Sequence, residues 1–174
     1  MNKKLSETFS AQINKEYFSA FLYLGMSNWF NQKGLRGMAN WTYVQYQEEL
    51  AHAQNLHHYM QYRNESVTLS QIDDPSGSWQ SPLEVFRHVL KHEQYVTESI
   101  NNLATVALKA NDHAAYNFMQ WYVSEQVEEE ANANDIIDRL VLSGDNSNAL
   151  LMIDDQLGAR TFAAPVVPGL PAGA

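Results

Sequence analysis

In the stretch Glu48-Glu49-Leu50-Ala51-His52-Ala53-Gln54, a carboxylate and an imidazole stand three residues apart inside a run with helical periodicity. Glu-x-x-His places both donors on one helix face, with Cβ atoms roughly 5–6 Å apart, a separation that one divalent cation can span. Alone the pair is weak, because such spacings arise by chance on many exposed helices. Its weight comes from where it falls. Glu49 and His52 occupy the stripe that should carry core side chains, in line with Gln45, Leu56 and Tyr59.

Three further stripes carry the same interruption. Traced in alternating steps of three and four, the first helical segment reads Phe9, Ile13, Glu16, Ala20, Tyr23, Ser27, Phe30. The third reads Phe86, Leu90, Glu93, Thr97, Ile100, Ala104, Ala107, and the fourth Met119, Tyr122, Gln126, Glu129, Ala133, Ile136, Leu140. Each stripe is broken near its midpoint, and in a bundle of aligned helices midpoints share a layer. Carboxylates facing one another in a low-dielectric interior repel, so they must take up protons or share cations. A pair of divalent metals resolves the conflict, and carboxylate plus imidazole donors suit iron, manganese or zinc. Any one of these acids alone reads as a boundary residue satisfied by an arginine or by water. Their coincidence reads as a metal layer. The run His92-Glu93-Gln94-Tyr95-Val96 lacks the second histidine of a metalloprotease motif.

The elements that must position this layer are legible from punctuation. Gly and Pro are almost absent from residues 4–32, 37–63, 82–110 and 112–143, and apolar residues recur there at three- and four-residue spacing. Four helices of roughly 40–45 Å follow. Ser81-Pro82-Leu83-Glu84 reads as a capping box with proline in the first turn, and Gly144 closes the fourth helix. Short links around Gly34 to Gly37 and Asn111-Asp112 force antiparallel neighbours, whereas Asn64 to Gln80 is long enough to run the length of a bundle. The predicted fold class is therefore all-α, a four-helix bundle with one long crossover between helices two and three, which resembles the ferritin-like arrangement. Asn148 to Leu157 adds a short fifth amphipathic helix. The bundle domain is expected over residues 1–160 and a mobile Pro/Gly/Ala-rich tail over 161–174.

Composition narrows the function. A net charge of −9 and a pI near 5.0 argue against nucleic acid or anionic lipid as partner and favour cations. The absence of cysteine excludes disulfides, thiolate zinc sites and Cys-ligated iron–sulfur clusters. The first residues turn polar too soon for a secretory leader, and no stretch approaches the roughly 20 apolar residues of a membrane span. A soluble cytoplasmic protein is expected.

The stretches NKEYFSAFLYL, QEELAHAQ, KHEQ and QWYVSEQVEEE, in this order and spacing, resemble bacterial non-haem ferritin over about residues 5–160. Bacterioferritin differs at two positions. It repeats Glu-x-x-His on its fourth helix, where this chain has Gln126 and Glu129, and it follows the helix-two glutamates with a haem-ligating methionine, where this chain has Leu50. Both differences favour a haem-free protein. The resemblance implies that Glu16, Glu49 and His52 hold one iron, and that Glu49 bridges to a second held by Glu93 and Glu129, with Gln126 beside it. It further implies a third, inner iron site on Glu48, Glu125 and Glu128, sharing Glu129. Spacing agrees, since residues 125, 128 and 129 lie on one flank of a helix; the plainer alternative is a solvated acidic face, as is expected for Glu130.

Tyr23 matches a tyrosine beside the di-iron site in that family and is the candidate catalytic residue, as hydrogen-bond or electron donor, against a plain core role. Trp121 has a weaker claim of the same kind. His57, His58, His88, His92 and His113 fall off the stripes and read as surface or packing residues, and Met119 as core. The implied activity is that of a ferroxidase, with Fe(II) and O₂ or H₂O₂ as substrates. Its ferric product would be stored as mineral in a hollow shell of twenty-four copies, with the fifth helix at the fourfold axis. Where relatives carry acidic threefold-pore residues, this chain has Tyr116 and Met119. One alternative is a di-iron redox enzyme of the rubrerythrin type, without its cysteine-bearing module. Another is a helical interaction module with a proton-sharing carboxylate cluster.

Overall fold

Helix starts and stops fall where the chain punctuates them. The computed structural model describes residues 1–170, and its helices are α1 (Lys3–Gln32), α2 (Arg36–Tyr62), α3 (Pro82–Lys109), α4 (His113–Ser143) and α5 (Ser147–Leu157). Among the described residues there is no strand. At the start of α3 the Ser81 hydroxyl accepts from the Glu84 backbone N–H, while the Glu84 carboxylate reaches back to Gln80 N–H at 2.8 Å. That is the capping box, shifted by one residue on its return bond. Gly144 ends α4 at φ 48°, a left-handed conformation that glycine adopts without a Cβ clash.

The two hairpins, α1/α2 and α3/α4, pack side by side, and their interior is divided in two. One apolar cluster joins the end of α1, the start of α2, the start of α3 and the end of α4, with Phe30, Trp41, Phe86 and Leu140 among its members. The other joins the opposite ends, with Phe9, Leu56, Ile100 and Tyr122. These memberships make α2 parallel to α3, as the long crossover requires. The crossover runs back along α1, where Ser10 and Asn14 side chains accept from Thr68 N–H and Ser70 N–H. Three of the four predicted stripes are buried throughout. On α3 the buried face turns instead through Val85, Val89, His92, Val96 and Leu103, leaving Leu90 and Thr97 half-buried. α3 also packs against α1, and that second contact widens its apolar stripe beyond one seam.

α5 crosses the start of α2 at very close range. A Cβ on Gly37 would stand 1.6 Å from the Asp154 carbonyl oxygen, so only glycine permits the crossing. α2 has no side-chain cap of its own, and the buried Asp154 carboxylate supplies one by accepting from Met38 N–H at 2.8 Å. Beyond α5 the chain forms a strap. Asn40 Nδ2 donates to the carbonyls of Gly158 and Arg160 at 3.3 and 2.8 Å. Further on, Val167 is only 4% exposed within the second apolar cluster, although the segment was expected to be mobile from composition. Residues 171–174 of the expected tail lie outside the described residues.

Candidate metal centre

The polar layer lies between the two apolar clusters. Glu16, Glu49, His52, Glu93, Gln126 and Glu129 are each at most 4% exposed, contributed by all four long helices. Heptad spacing delivers them to one height because they fall near the middles of four largely apolar stripes. Glu16, Glu49 and His52 form one convergent group, with donor atoms all within 4.8 Å of one another. Glu49 Oε2 is buried without a hydrogen-bond partner, and His52 Nδ1 lies 3.7 Å from it. A buried carboxylate oxygen left open beside an imidazole and a second carboxylate is a donor set awaiting a cation. These residues fit a divalent metal such as iron.

Across the layer the acids are already engaged. Glu93 accepts from the Tyr23 hydroxyl in a short contact and from Gln126 Nε2 at 3.1 Å. Glu129 Oε2 accepts from Gln45 Nε2 at 2.8 Å. Among the described residues, no three-donor group comparable to the first forms here.

Without a cation, proton affinities record the crowding. Burial pushes the Glu16 and Glu49 carboxyls well above the usual range, and repulsion adds to it, from Glu49 on Glu16 and from Glu93 and Glu129 on Glu49. Glu129 is pushed up to about 8, by burial first and Glu93 second. Glu93 is also raised by burial, with hydrogen bonds from Tyr23 and Gln126 opposing the rise. Compressed charge of this kind is relieved by a metal, because each carboxylate then gains a partner instead of a proton.

The surrounding shell orients the donors. Gln12 Nε2 donates to Glu16 Oε1 at 2.9 Å, and Tyr122 donates to the His52 carbonyl at 3.0 Å. Trp121 stands edge-on to the His52 ring, centroids 5.4 Å apart. Sequence reasoning assigned no role to Gln12 or to Gln45. Gln45 was visible on the α2 stripe one turn before Glu49, so the signal existed; Gln12 lies one turn before Glu16 beside the α1 stripe. The other residues of the predicted set spread out. Glu48 and Glu125 are half-buried, and Glu128 is exposed. Glu48 is paired with Arg160, a residue with no role in the sequence reading. Glu130, expected to be solvated, is half-buried and accepts from Thr97 Oγ1 at 2.6 Å. His92 is a packing residue: it is bonded to Ser19 Oγ at 2.8 Å, and burial lowers its pKa to about 4. Met119 has no exposed surface and packs within the second apolar cluster.

An all-α bundle with one crossover and a mid-bundle layer of carboxylates and one histidine defines the class of ferritin-like carboxylate proteins. Comparison with known proteins agrees. The model of the ferritin-like domain matches residues 7–143. A bacterial non-heme ferritin of Campylobacter jejuni is 37% identical over 157 residues, 90% of this chain and 94% of that protein. One of Bacteroides fragilis is 38% identical over 160 residues, 92% and 99% of the two chains. Among solved structures, an open pore ferritin of the archaeon Archaeoglobus fulgidus superposes with a TM-score of 0.91 at 45% identity, over 92% of this chain and 99% of that one. The chain belongs to the ferritin family.

Proposed function

We propose that the protein is a non-haem iron-storage ferritin whose central layer oxidises Fe(II). The observation that carries this reading is the convergence of Glu16, Glu49 and His52 within 4.8 Å, around a buried carboxylate oxygen that has no partner. The ions are substrate, not resident cofactor. Two Fe(II) ions each give up one electron, and the pair passes with two protons to O₂, forming H₂O₂, or to H₂O₂, forming two waters.

The chain's own residues set the conditions for that transfer. Glu16 and His52 hold the first ion, Glu49 faces both positions, and Glu93 with Glu129 receives the second. Gln126 presents a neutral amide in place of a stronger ligand, so the second position releases its product more readily. The flanking apolar clusters keep bulk water from the layer, and Tyr23 fixes the Glu93 carboxylate through its hydroxyl. In this reading the acids Glu48, Glu125 and Glu128 offer an inner third iron position with Glu129. No haem takes part.

Storage requires an assembly, and twenty-four copies forming a hollow shell is the arrangement we assign. α5 presents Leu151 and Met152 to the outside, 53% and 65% exposed, which suits burial against copies of itself. No helix among the described residues is long and apolar enough to cross a membrane, and the net charge of −9 disfavours nucleic acid. We place the protein in the cytoplasm on these grounds and on its lack of cysteine.

The test is anaerobic addition of Fe(II) followed by O₂, with ferric product followed by absorbance in the parent protein and in Glu49→Ala. The parent should oxidise the first two ions per chain rapidly, and the variant should be slowed roughly 100-fold or more, beyond the usual cost of losing an outer-shell partner. Unchanged oxidation in Glu49→Ala rules out this layer as the site. Particles holding only two irons on a small oligomer would point instead to a di-iron redox enzyme.

A further inference from the structure

A chain of hydrogen bonds leaves the central layer and ends on a cation at the outer side of the bundle. Gln12 Nε2 donates to Glu16 Oε1 at 2.9 Å, and Gln12 Oε1 accepts from Ser99 Oγ at 2.5 Å. Ser99 Oγ in turn accepts from Lys15 Nζ at 2.6 Å. The path crosses between helices twice, from Lys15 on α1 to Ser99 on α3 and back to Gln12 and Glu16 on α1. Gln12 is fully buried, whereas Ser99 and Lys15 are half-buried. The ammonium is held from a second side by the Tyr95 ring, 4.9 Å from its centre, and it borders a cleft between α1, α3 and the crossover.

The direction of every bond is set from the outer end. An ammonium donates and cannot accept, so Ser99 accepts from Lys15 and keeps its own hydroxyl proton for Gln12. With its carbonyl oxygen so occupied, Gln12 presents its amide N–H to Glu16. Turned over, the amide would set its oxygen against the Glu16 carboxylate, one acceptor facing another. All three bonds therefore point the same way, from cation to carboxylate, and aligned bonds in a poorly solvated interior polarise one another. One oxygen of Glu16 is thereby fixed, which limits rotation of the carboxylate beside Glu49 and His52. Among the described residues the chain has no bond to Glu93 or Glu129, which are held instead by Tyr23, Gln126 and Gln45.

We propose that Lys15 is a positioning residue for the first ion, acting through Ser99 and Gln12 to hold the Glu16 carboxylate in the orientation in which it meets Glu49 and His52. This rests on the reading that those three residues bind a divalent cation. The sign of the effect separates it from simple charge. Deleting a positive charge near a cation site tightens the site by field alone. Deleting this one should weaken it, because the direction of the whole chain depends on a group that can only donate.

Zn(II) binding to the full-length, metal-free protein, measured by calorimetry, tests the proposal without any turnover. Lys15→Met, which keeps the aliphatic stem and removes the donors, should weaken the tighter step roughly fivefold, about the value of one hydrogen bond, and leave the second step unchanged. Ser99→Ala should do the same, and Gln12→Leu should cost roughly tenfold or more, as loss of a direct partner does. Lys15→Arg restores a cationic donor and should bind close to the parent. Adding Lys15→Met to Ser99→Ala should cost nothing further, because the lysine acts through the serine. If Lys15→Met leaves the first step unchanged or tightens it, if both steps weaken alike, or if the losses from Lys15→Met and Ser99→Ala add, the proposal is overturned while the metal reading stands. If Glu16→Ala leaves the first step intact, the underlying reading falls and the proposal with it.

Discussion

On the α1/α2 side of the central layer, Glu16, Glu49 and His52 turn their donors toward one another and leave Glu49 Oε2 open. On the α3/α4 side, Glu93 and Glu129 are occupied by hydrogen bonds from Tyr23, Gln126 and Gln45. The residue types are nearly the same, and burial is equally deep. What differs is the neutral partners. A carboxylate oxygen that already accepts a good hydrogen bond gives up part of that stabilisation when a cation arrives; in the first half Gln12 engages Glu16 but Glu49 Oε2 has no such bond to lose. The first half is preorganised for a metal and the second must rearrange, so two ions of one kind should bind in sequence with unequal affinity.

The largest effect should come from deleting one acid from each half. Glu16→Ala should remove the tighter of the first two Zn(II) steps, with a loss of roughly 100-fold or more, while Glu129→Ala should spare that step and weaken the second. Calorimetry on the two variants reads this directly, and equal damage to both steps from either variant would erase the distinction between the halves.

A smaller effect concerns the metal-free protein. Its layer carboxyls hold protons that the unfolded chain, with carboxylate pKa values of about 4.3, has released. Glu129 keeps its proton up to about 8. Folded-state values raised above unfolded ones mean that this contribution is complete below the unfolded range and is lost as pH rises through the folded values. Thermal unfolding of the metal-free protein should therefore show declining stability from pH 5 to 8, on the order of a few kcal/mol in sum. Saturating Zn(II) should reverse the slope, since binding displaces those protons. A flat profile in the metal-free protein would mean that the acids are ionised and otherwise compensated.

The smallest predicted change is Tyr23→Phe. It deletes one hydrogen bond to Glu93 and should slow iron oxidation by roughly tenfold, through the second position alone. Stopped-flow oxidation separates the cases, because a defect already present with one Fe(II) per chain would place Tyr23 with the first half instead.

The layer was legible in the sequence because period and chemistry coincide: a charged residue in the middle of an apolar stripe is visible without knowing the neighbouring helix. α3 was less well read. Its true buried face includes Val89, His92 and Val96, since packing against α1 turns it away from Leu90, and one helix's own period does not contain that contact. Gln12 and Gln45 were present but silent, as a glutamine becomes a carboxylate donor only when another chain segment brings the carboxylate. Arg160 was the least legible. It follows α5 by three residues, just before the Pro/Gly/Ala-rich tail begins, and its partner lies over a hundred positions earlier. Composition foresaw a mobile end; Val167 joins the apolar cluster that includes Leu56, Tyr59 and Phe118, which exists only once the bundle has closed.

The crossing of α5 over Gly37 also sets the length of the tether that joins two distant parts of the chain. Gly158 lies against Gly37, and Arg160 follows two residues later, so the guanidinium that bonds Glu48 is delivered on a very short leash. For such a tether the local concentration at its target is on the order of millimolar or higher, and it does not change with the amount of protein present. A side chain at position 37 would push the helices apart, lengthen the leash, and weaken the Arg160–Glu48 pair.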